Sequence, residues 1–343
     1  MEPVAALRRI AFLLERRDGA SQRSRAFRRA AATLEELAAG EIARRGEEGT
    51  LQALPGIGRS TAQAIKECLE GRVPSRLAEL EADVEGQPLE GDAATLRSAL
   101  RGDCHTHSDW SDGQTPIVEM ARAAQELGHD YIVLTDHSPS LRVANGLSAA
   151  MLRQQLEEVA ELNERLAPFR ILTGIEVDIL PDGPLDQEEE LLARLDVVVA
   201  SVHSKLRMPK AEMTERMIAA VANPHVDILG HCTGRKLGDG KGRPESAFDA
   251  GRVFDACREH GKAIEVNCRP DRLDPPRRLL RMANEKGCRF AIDSDGHAPG
   301  ELDWLDLGCR RAAECGVSAD RIVNTRPVAA LLEWTAGPQR ATW

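Results

Sequence analysis

Between residue 101 and the C-terminal part of the chain, seven short apolar runs alternate with helical patterns: DCHTH, YIVLTDH, RILTGIEV, DVVVASVH, VDILGH, KAIEVN and RFAIDSDGH. The helical spacing falls at residues 115–128, 148–165, 209–222, 245–260 and 275–286. Strand then helix, repeated, points to a parallel sheet, and seven units predict a closed α/β barrel. At 343 residues the chain has room for such a barrel and an extension.

The C-terminal ends of the runs are polar. In order they offer His105 and His107, Asp136 and His137, Glu176, His203, His231, Glu265 and Asn267, then Asp295 and His297. Barrel active sites are assembled at that face from different strands. Six of the nine histidines occupy such ends, so they read as metal ligands, whereas His129, His225 and His260 read as structural. Mixed imidazole and carboxylate suits zinc, manganese or iron.

Ahead of the barrel, residues 4–39 read as two amphipathic helices broken near RDGAS, the second closed by Gly40. Arg8, Arg9, Arg16, Arg17, Arg23, Arg25, Arg28 and Arg29 make this stretch basic, either as a solvated face or as a phosphate-binding one. Residues 51–71, LQALPGIGRSTAQAIKECLEG, place Leu51, Leu54 and Ile57 around a Pro-Gly-Ile-Gly turn, before a helix with Ala62, Ile65 and Leu69 on one face. The stretch resembles a helix-hairpin-helix motif, whose glycines let backbone N–H groups approach a DNA phosphate; the alternative is a hairpin used only for packing. Residues 79–98 read as a linker or capping segment. The expected division is a helical module over 1–95 and a barrel over 96–343.

DCHTHSDWSDG, LTDHS, GIEVDIL, SVHS, DILGHCTGR and DSDGH resemble, in that order, the motifs of the polymerase and histidinol phosphatase (PHP) domain. That resemblance implies a distorted seven-stranded (β/α)7 barrel and two or three divalent metals, manganese or zinc foremost, with iron the other candidate. It implies one metal on His105, His107, Glu176 and Asp295, a second on Glu176, His203 and His231, and a third on Asp112, His137 and His297. Glu176, His203, His231 and Asp295 would carry the catalysis, with Glu176 bridging. Asp103, Asp109 and Asp136 would support ligands or turns. Clustered metals make hydroxide available at neutral pH to attack phosphorus. Lys205 and Arg235 are candidates for substrate phosphate oxygens, or for a solvated rim. Cys104 and Cys232 read as small buried residues rather than nucleophiles.

The helical module is similar to the small DNA-end-binding domain of family X DNA polymerases, which implies Arg23, Arg25, Arg28, Gly56, Gly58 and Arg59 as DNA contacts. Too few residues separate the two modules for a polymerase palm. The position of the family's lyase lysine falls on Ala64, with Lys66 about 200° further around the helix, so neither polymerisation nor lyase chemistry is expected. NCRPDRLD and Cys232 depart from the family pattern on the substrate side.

The reading is a phosphoesterase acting on DNA ends or damaged sites, of 3'-5' exonuclease, abasic endonuclease or 3'-phosphatase type, in DNA repair. Its rivals are a small-molecule phosphatase such as histidinol phosphatase, and a non-catalytic DNA-binding protein with structural metals. With 45 Lys and Arg against 55 Asp and Glu, a net charge of -10 argues against coating nucleic acid along the whole chain. Eight cysteines without a C-x-x-C pair read as reduced thiols in a cytoplasmic protein, and no apolar run is long enough for a membrane span.

Overall fold

The computed structural model describes residues 1–84, 88–238 and 242–337. These form two compact units: Met1–Pro88 with Ala298–Glu301, and Leu89–His297 with Leu302 onward.

The first unit is helical. Helices α1 (Pro3–Asp18) and α2 (Gln22–Glu35) are separated at Gly19, whose φ of 74° suits a residue without Cβ. Ser21 caps α2 by accepting from Ser24 N–H. That helix stops at Glu35, short of the expected Gly40, which instead begins α3 (Glu41–Glu47) with φ 82°. The hairpin runs into α4 (Arg59–Leu69), and α5 (Ser75–Val84) follows. Leu7, Ile10 and Leu14 pack with Phe27, Leu34, Leu54, Ile57 and Ile65 in one apolar core. Leu69, expected on the buried face of α4, is 39% exposed because it sits at the helix end. The expected linker over 79–98 is mostly helix: α5 covers its start and Gly91–Ala99 its end, with residues 85–87 outside the described residues.

The second unit is an α/β barrel. Strands β1 (Gly102–Thr106), β2 (Tyr131–Leu134), β3 (Arg170–Asp178), β4 (Val197–Ser201), β5 (Ile228–Leu229), β6 (Ala263–Asn267) and β7 (Arg289–Asp293) pair in sequence order, all parallel. A bridge between Thr106 and Gly296 joins β1 to the segment after β7. The strands are buried on both faces, as parallel strands covered by helices must be.

Alternation along each strand sorts the two faces. Ile132, Ile171, Val198, Ile264 and Ile292 join clusters that also contain helix residues. Val133, Leu172, Val199, Ala263 and Ala291 form a separate cluster with Ile228, to which Leu331 of the helix Val328–Ala336 also belongs. Counting on by twos from this second set reaches His137, Glu176, His203, Glu265 and Asp295. The period that packs one end of the barrel with aliphatic side chains thus brings titratable ones to the other end.

Candidate metal centre

Glu176, in the last turn of pleat of β3, is 1% exposed and forms the hub. Its Oε1 lies 2.8 Å from His231 Nε2 and 3.2 Å from His203 Nε2. Its Oε2 lies 2.9 Å from His137 Nδ1, 3.3 Å from His105 Nε2 and 3.7 Å from His107 Nε2. Asp295 Oδ1 stands 3.4 Å from His107 Nε2 and 3.9 Å from His105 Nε2. Asp112 Oδ1 stands 3.4 Å from His137 Nε2 and 3.3 Å from His297 Nε2. All nine residues expected as ligands therefore meet in one place, and the oxygens of Glu176 face different imidazole sets.

The donor atoms fit divalent metals. His105 Nε2, both ring nitrogens of His107 and of His203, Glu176 Oε2 and Asp112 Oδ1 are buried without a hydrogen-bond partner among the described residues. They approach one another at ion-pair distance without hydrogen-bond alignment, and buried polar atoms left this way cost free energy unless something else satisfies them. Ligand atoms of His107, Asp112, His137 and His297, of His105, His107 and Glu176, and of His137, Glu176 and His203 each fall within 4.8 Å of one another.

Protons are shared unevenly here. Burial disfavours the charged form of Glu176, but His203, His105 and His137 hold its carboxyl well below the usual range. His137, despite burial, is raised to about 10 by Glu176 and Asp112. Burial brings His203 down to about 4 and, with His297 and His137 nearby, depresses His107 strongly. The carboxylate of Glu176 and the neutral imidazoles of His107 and His203 are already in ligand form, whereas His137 and His105, raised by the neighbouring carboxylates, would release their protons on binding a metal.

The surrounding groups fix these ligands. Asp136 accepts from Ser108 N at 2.8 Å, Ser111 Oγ at 2.5 Å and Gln155 Nε2 at 2.7 Å, pinning the turn that carries Asp112. Asp103 accepts from His105 N at 3.1 Å and from the Ser294 hydroxyl. Asp109 takes no part in the cluster, its backbone N–H being bonded to Thr115 O. Asp295 holds a left-handed backbone, φ 54°, which a non-glycine residue adopts at a cost. Both thiols beside ligands, Cys104 and Cys232, are pushed well above the ordinary value by burial, which suits inert packing rather than nucleophilic attack.

Residues 103–269 match the PHP domain, and residues 1–73 match a helix-hairpin-helix domain. A probable phosphatase of Thermoanaerobacter sp. (strain X514) is 30% identical over 234 residues, 65% of this chain and 89% of that protein. The chain belongs to the PHP-domain family. The DNA polymerase/3'-5' exonuclease PolX of Bacillus subtilis (strain 168) is 40% identical over 227 residues, 66% of this chain but only 39% of the length of that relative. Among solved structures, histidinol phosphate phosphatase from Lactococcus lactis subsp. lactis Il1403, complexed with zinc, L-histidinol and phosphate, aligns with a TM-score of 0.47 at 18% identity, over 64% of this chain and 94% of that one.

Four groups around the PHP centre had no role assigned from sequence. Glu265 Oε1 lies 2.5 Å from His105 Nδ1, and its Oε2 accepts from His231 N, so one carboxylate orients two candidate ligands. Asn267 Nδ2 donates to Asp295 Oδ2 at 3.0 Å. Both lie on the cluster's side of β6 by simple alternation, a signal present in KAIEVN. Arg269 and Arg272, from the divergent NCRPDRLD, reach Asp295 at 3.7 and 3.3 Å. Arg235, expected at substrate phosphate, donates its Nε to Arg272 O at 2.9 Å and another nitrogen to Leu273 O, contacts that brace that loop. Lys205 is exposed, two residues beyond His203, with φ 53°.

In the helical unit Arg23, Arg25 and Arg59 are exposed, as are Gly56 and Gly58. Arg28 is more committed. It makes a two-pronged ion pair with Glu15, which is 1% exposed, at 2.6 and 2.5 Å. That guanidinium is a structural tie inside the unit. The two hairpin glycines also differ. Gly56 has φ 73°, and a Cβ there would meet Arg29 at 2.9 Å, whereas Gly58 is extended with open space around its missing Cβ. Gly58 caps α4, whose first-turn N–H groups mark it as the better candidate for a phosphate. Ala64 is buried, and exposed Lys66 stands 3.8 Å from Glu70.

Proposed function

We propose that this PHP-domain phosphoester hydrolase acts on DNA, cutting phosphodiester or phosphomonoester bonds at ends or damaged sites. The observation that carries the reading is the pairing, in one chain, of a buried histidine–carboxylate centre with a helix-hairpin-helix unit that presents an open glycine at a helix start. The name of the Bacillus relative, which includes a 3'-5' exonuclease, supports the same substrate class.

His105, His107, Glu176 and Asp295 would hold one metal, Glu176, His203 and His231 a second, and Asp112, His137 and His297 a third, with manganese or zinc suited to these donors. When bound, such metals supply Lewis acidity to the phosphate oxygens and a hydroxide nucleophile at neutral pH. Glu265 would keep His105 Nδ1 engaged so that Nε2 faces the centre, and Asn267 would fix Asp295. Arg269 and Arg272 would add positive charge beside a phosphate. Arg23, Arg25, Arg59 and the Gly58 turn would take the DNA backbone.

A second reading has its own support: the phosphatase relative is matched over 89% of its length, so the barrel alone resembles a complete phosphatase. Purified protein supplied with manganese, assayed in parallel on single-stranded DNA, abasic duplex, 3'-phosphate ends and histidinol phosphate, separates the two. Turnover of DNA substrates at least tenfold above histidinol phosphate is expected. The reverse preference overturns the DNA assignment.

A further inference from the structure

At the N-terminal end of the strands, opposite the histidine cluster, lies a cavity of about 390 Å³ lined by Arg258, Lys262, Arg289, Arg321 and Arg326, with Asp320 as the lone acid in its wall. The cations converge from separate segments. Arg258 closes the helix Ala250–Glu259, Lys262 precedes β6, Arg289 opens β7, and Arg321 and Arg326 flank a segment whose Ile322 bridges to Phe290. Five residues of β7 at about 3.3 Å each put this cavity on the order of 17 Å from the Asp295 end.

Cations gathered at one cavity repel one another, and an anion between them would relieve that repulsion. Buried Lys262 has partners within the protein, its Nζ standing 3.4 Å from Pro224 O, so the case rests on the arginines. Arg258 has only loose contacts, 3.9 Å to Asp255 and 3.8 Å to Glu259, both at the exposed edge. One Arg321 nitrogen donates to Gly287 O at 2.6 Å. The side chains of Arg289 and Arg326 have no hydrogen bond or ion pair among the described residues. Arg289 is exposed; partial burial first, and then the neighbouring Arg326 and Arg321, lower its pKa. The volume is that of a small-molecule site, and arginine forks match the tetrahedral oxygens of phosphate.

We infer that this cavity is a second, non-catalytic binding site for a phosphate group, carried either by a small compound such as a nucleotide or by a nucleic acid backbone. The assignment shares no residue with the metal centre and stands independently of the DNA reading above.

Calorimetric titration of the full chain in chelator, with pyrophosphate as probe, tests it against the double variant Arg289→Ala/Arg326→Ala. The expected result is saturable binding to the wild type, weakened at least tenfold in the double variant, with unchanged hydrolysis of a chromogenic phosphodiester by the metal-loaded protein. Equal affinity in both proteins, or no binding by the wild type to pyrophosphate, AMP or single-stranded DNA, overturns the inference. AMP and a single-stranded oligonucleotide distinguish the sources: the carrier is the one whose binding the double variant loses. Should the double variant fold poorly by circular dichroism, the single Arg326→Gln change, at a partly exposed side chain, serves with the same readings.

Discussion

The barrel and the helical unit handle charge in opposite ways. In the barrel, six imidazoles and three carboxylates are drawn from six strand ends into a mostly buried cluster around Glu176. In the helical unit the core is apolar, and several of the arginines that made the N-terminal stretch look basic are matched by acids of the same unit: Arg8 by Glu35, Arg17 by Asp18 and Asp83, Arg28 by Glu15. Buried polar donors with no partner call for a ligand. Charges already matched call for none, so what remains for DNA is the exposed remainder and the hairpin backbone.

Several perturbations sharpen this contrast. The largest effect is expected from Glu176→Gln, because one carboxylate serves both ends of the cluster. Losing it should remove bound metal and lower turnover on the order of a thousandfold, several kcal/mol of transition-state stabilisation. Elemental analysis beside steady-state rates checks this, and retained metal with retained rate would dissolve the hub. Next, Arg28→Ala should cost about 3 kcal/mol of stability by leaving the buried Glu15 without its ion-pair partner, with the Gly300 N–H still donating to it, visible as a fall in Tm. Arg25→Ala should leave Tm unchanged while weakening DNA binding and its salt dependence. If the two arginines behaved alike, the distinction between tie and contact would fail.

Gly58→Val should weaken DNA binding about tenfold while leaving both Tm and turnover of a small phosphoester intact, since its Cβ meets open space. Gly56→Val should instead destabilise the unit, because its φ of 73° disfavours any side chain. A Gly58 variant that unfolds would return the hairpin to a packing role.

The last effect appears only in acid. His129 is buried with no hydrogen-bond partner for either ring nitrogen among the described residues, and burial, then Arg97, lower its pKa to about 3. The unfolded chain takes up this proton near pH 6.5 while the folded chain does not, so the stability it contributes is present above that pH. It is lost as pH falls from 6.5 towards 3, at up to about 1.4 kcal/mol per unit. His129→Leu should flatten that part of the pH–stability curve, read by denaturant melts of metal-free protein.

The barrel was legible in the sequence for the same reason that its chemistry was. A strand's period of two is rigid, so a run such as RILTGIEV fixes both the aliphatic Leu172 and the clustered Glu176. Histidines repeated at such ends have little other use. Glu265 obeys the same parity but reads from sequence as one more strand-end acid, since its part depends on reaching His105 from a different strand. Arginine is less readable still. Arg28 and Arg235 carry the charge expected of phosphate contacts, yet each is committed to a partner brought near only by folding, Glu15 across the α1–α2 turn and the carbonyls of Arg272 and Leu273. Gly40 misled in another way: the same left-handed conformation that closes helices also opens α3.

The strand-end cluster is proposed to be a multinuclear metal site. Inductively coupled plasma mass spectrometry of the full chain, purified gently and without chelators, tests it most directly. At least two equivalents of transition metal per chain are expected, restored by manganese or zinc after stripping. One equivalent or none, with remetallation failing on folded protein, would contradict it.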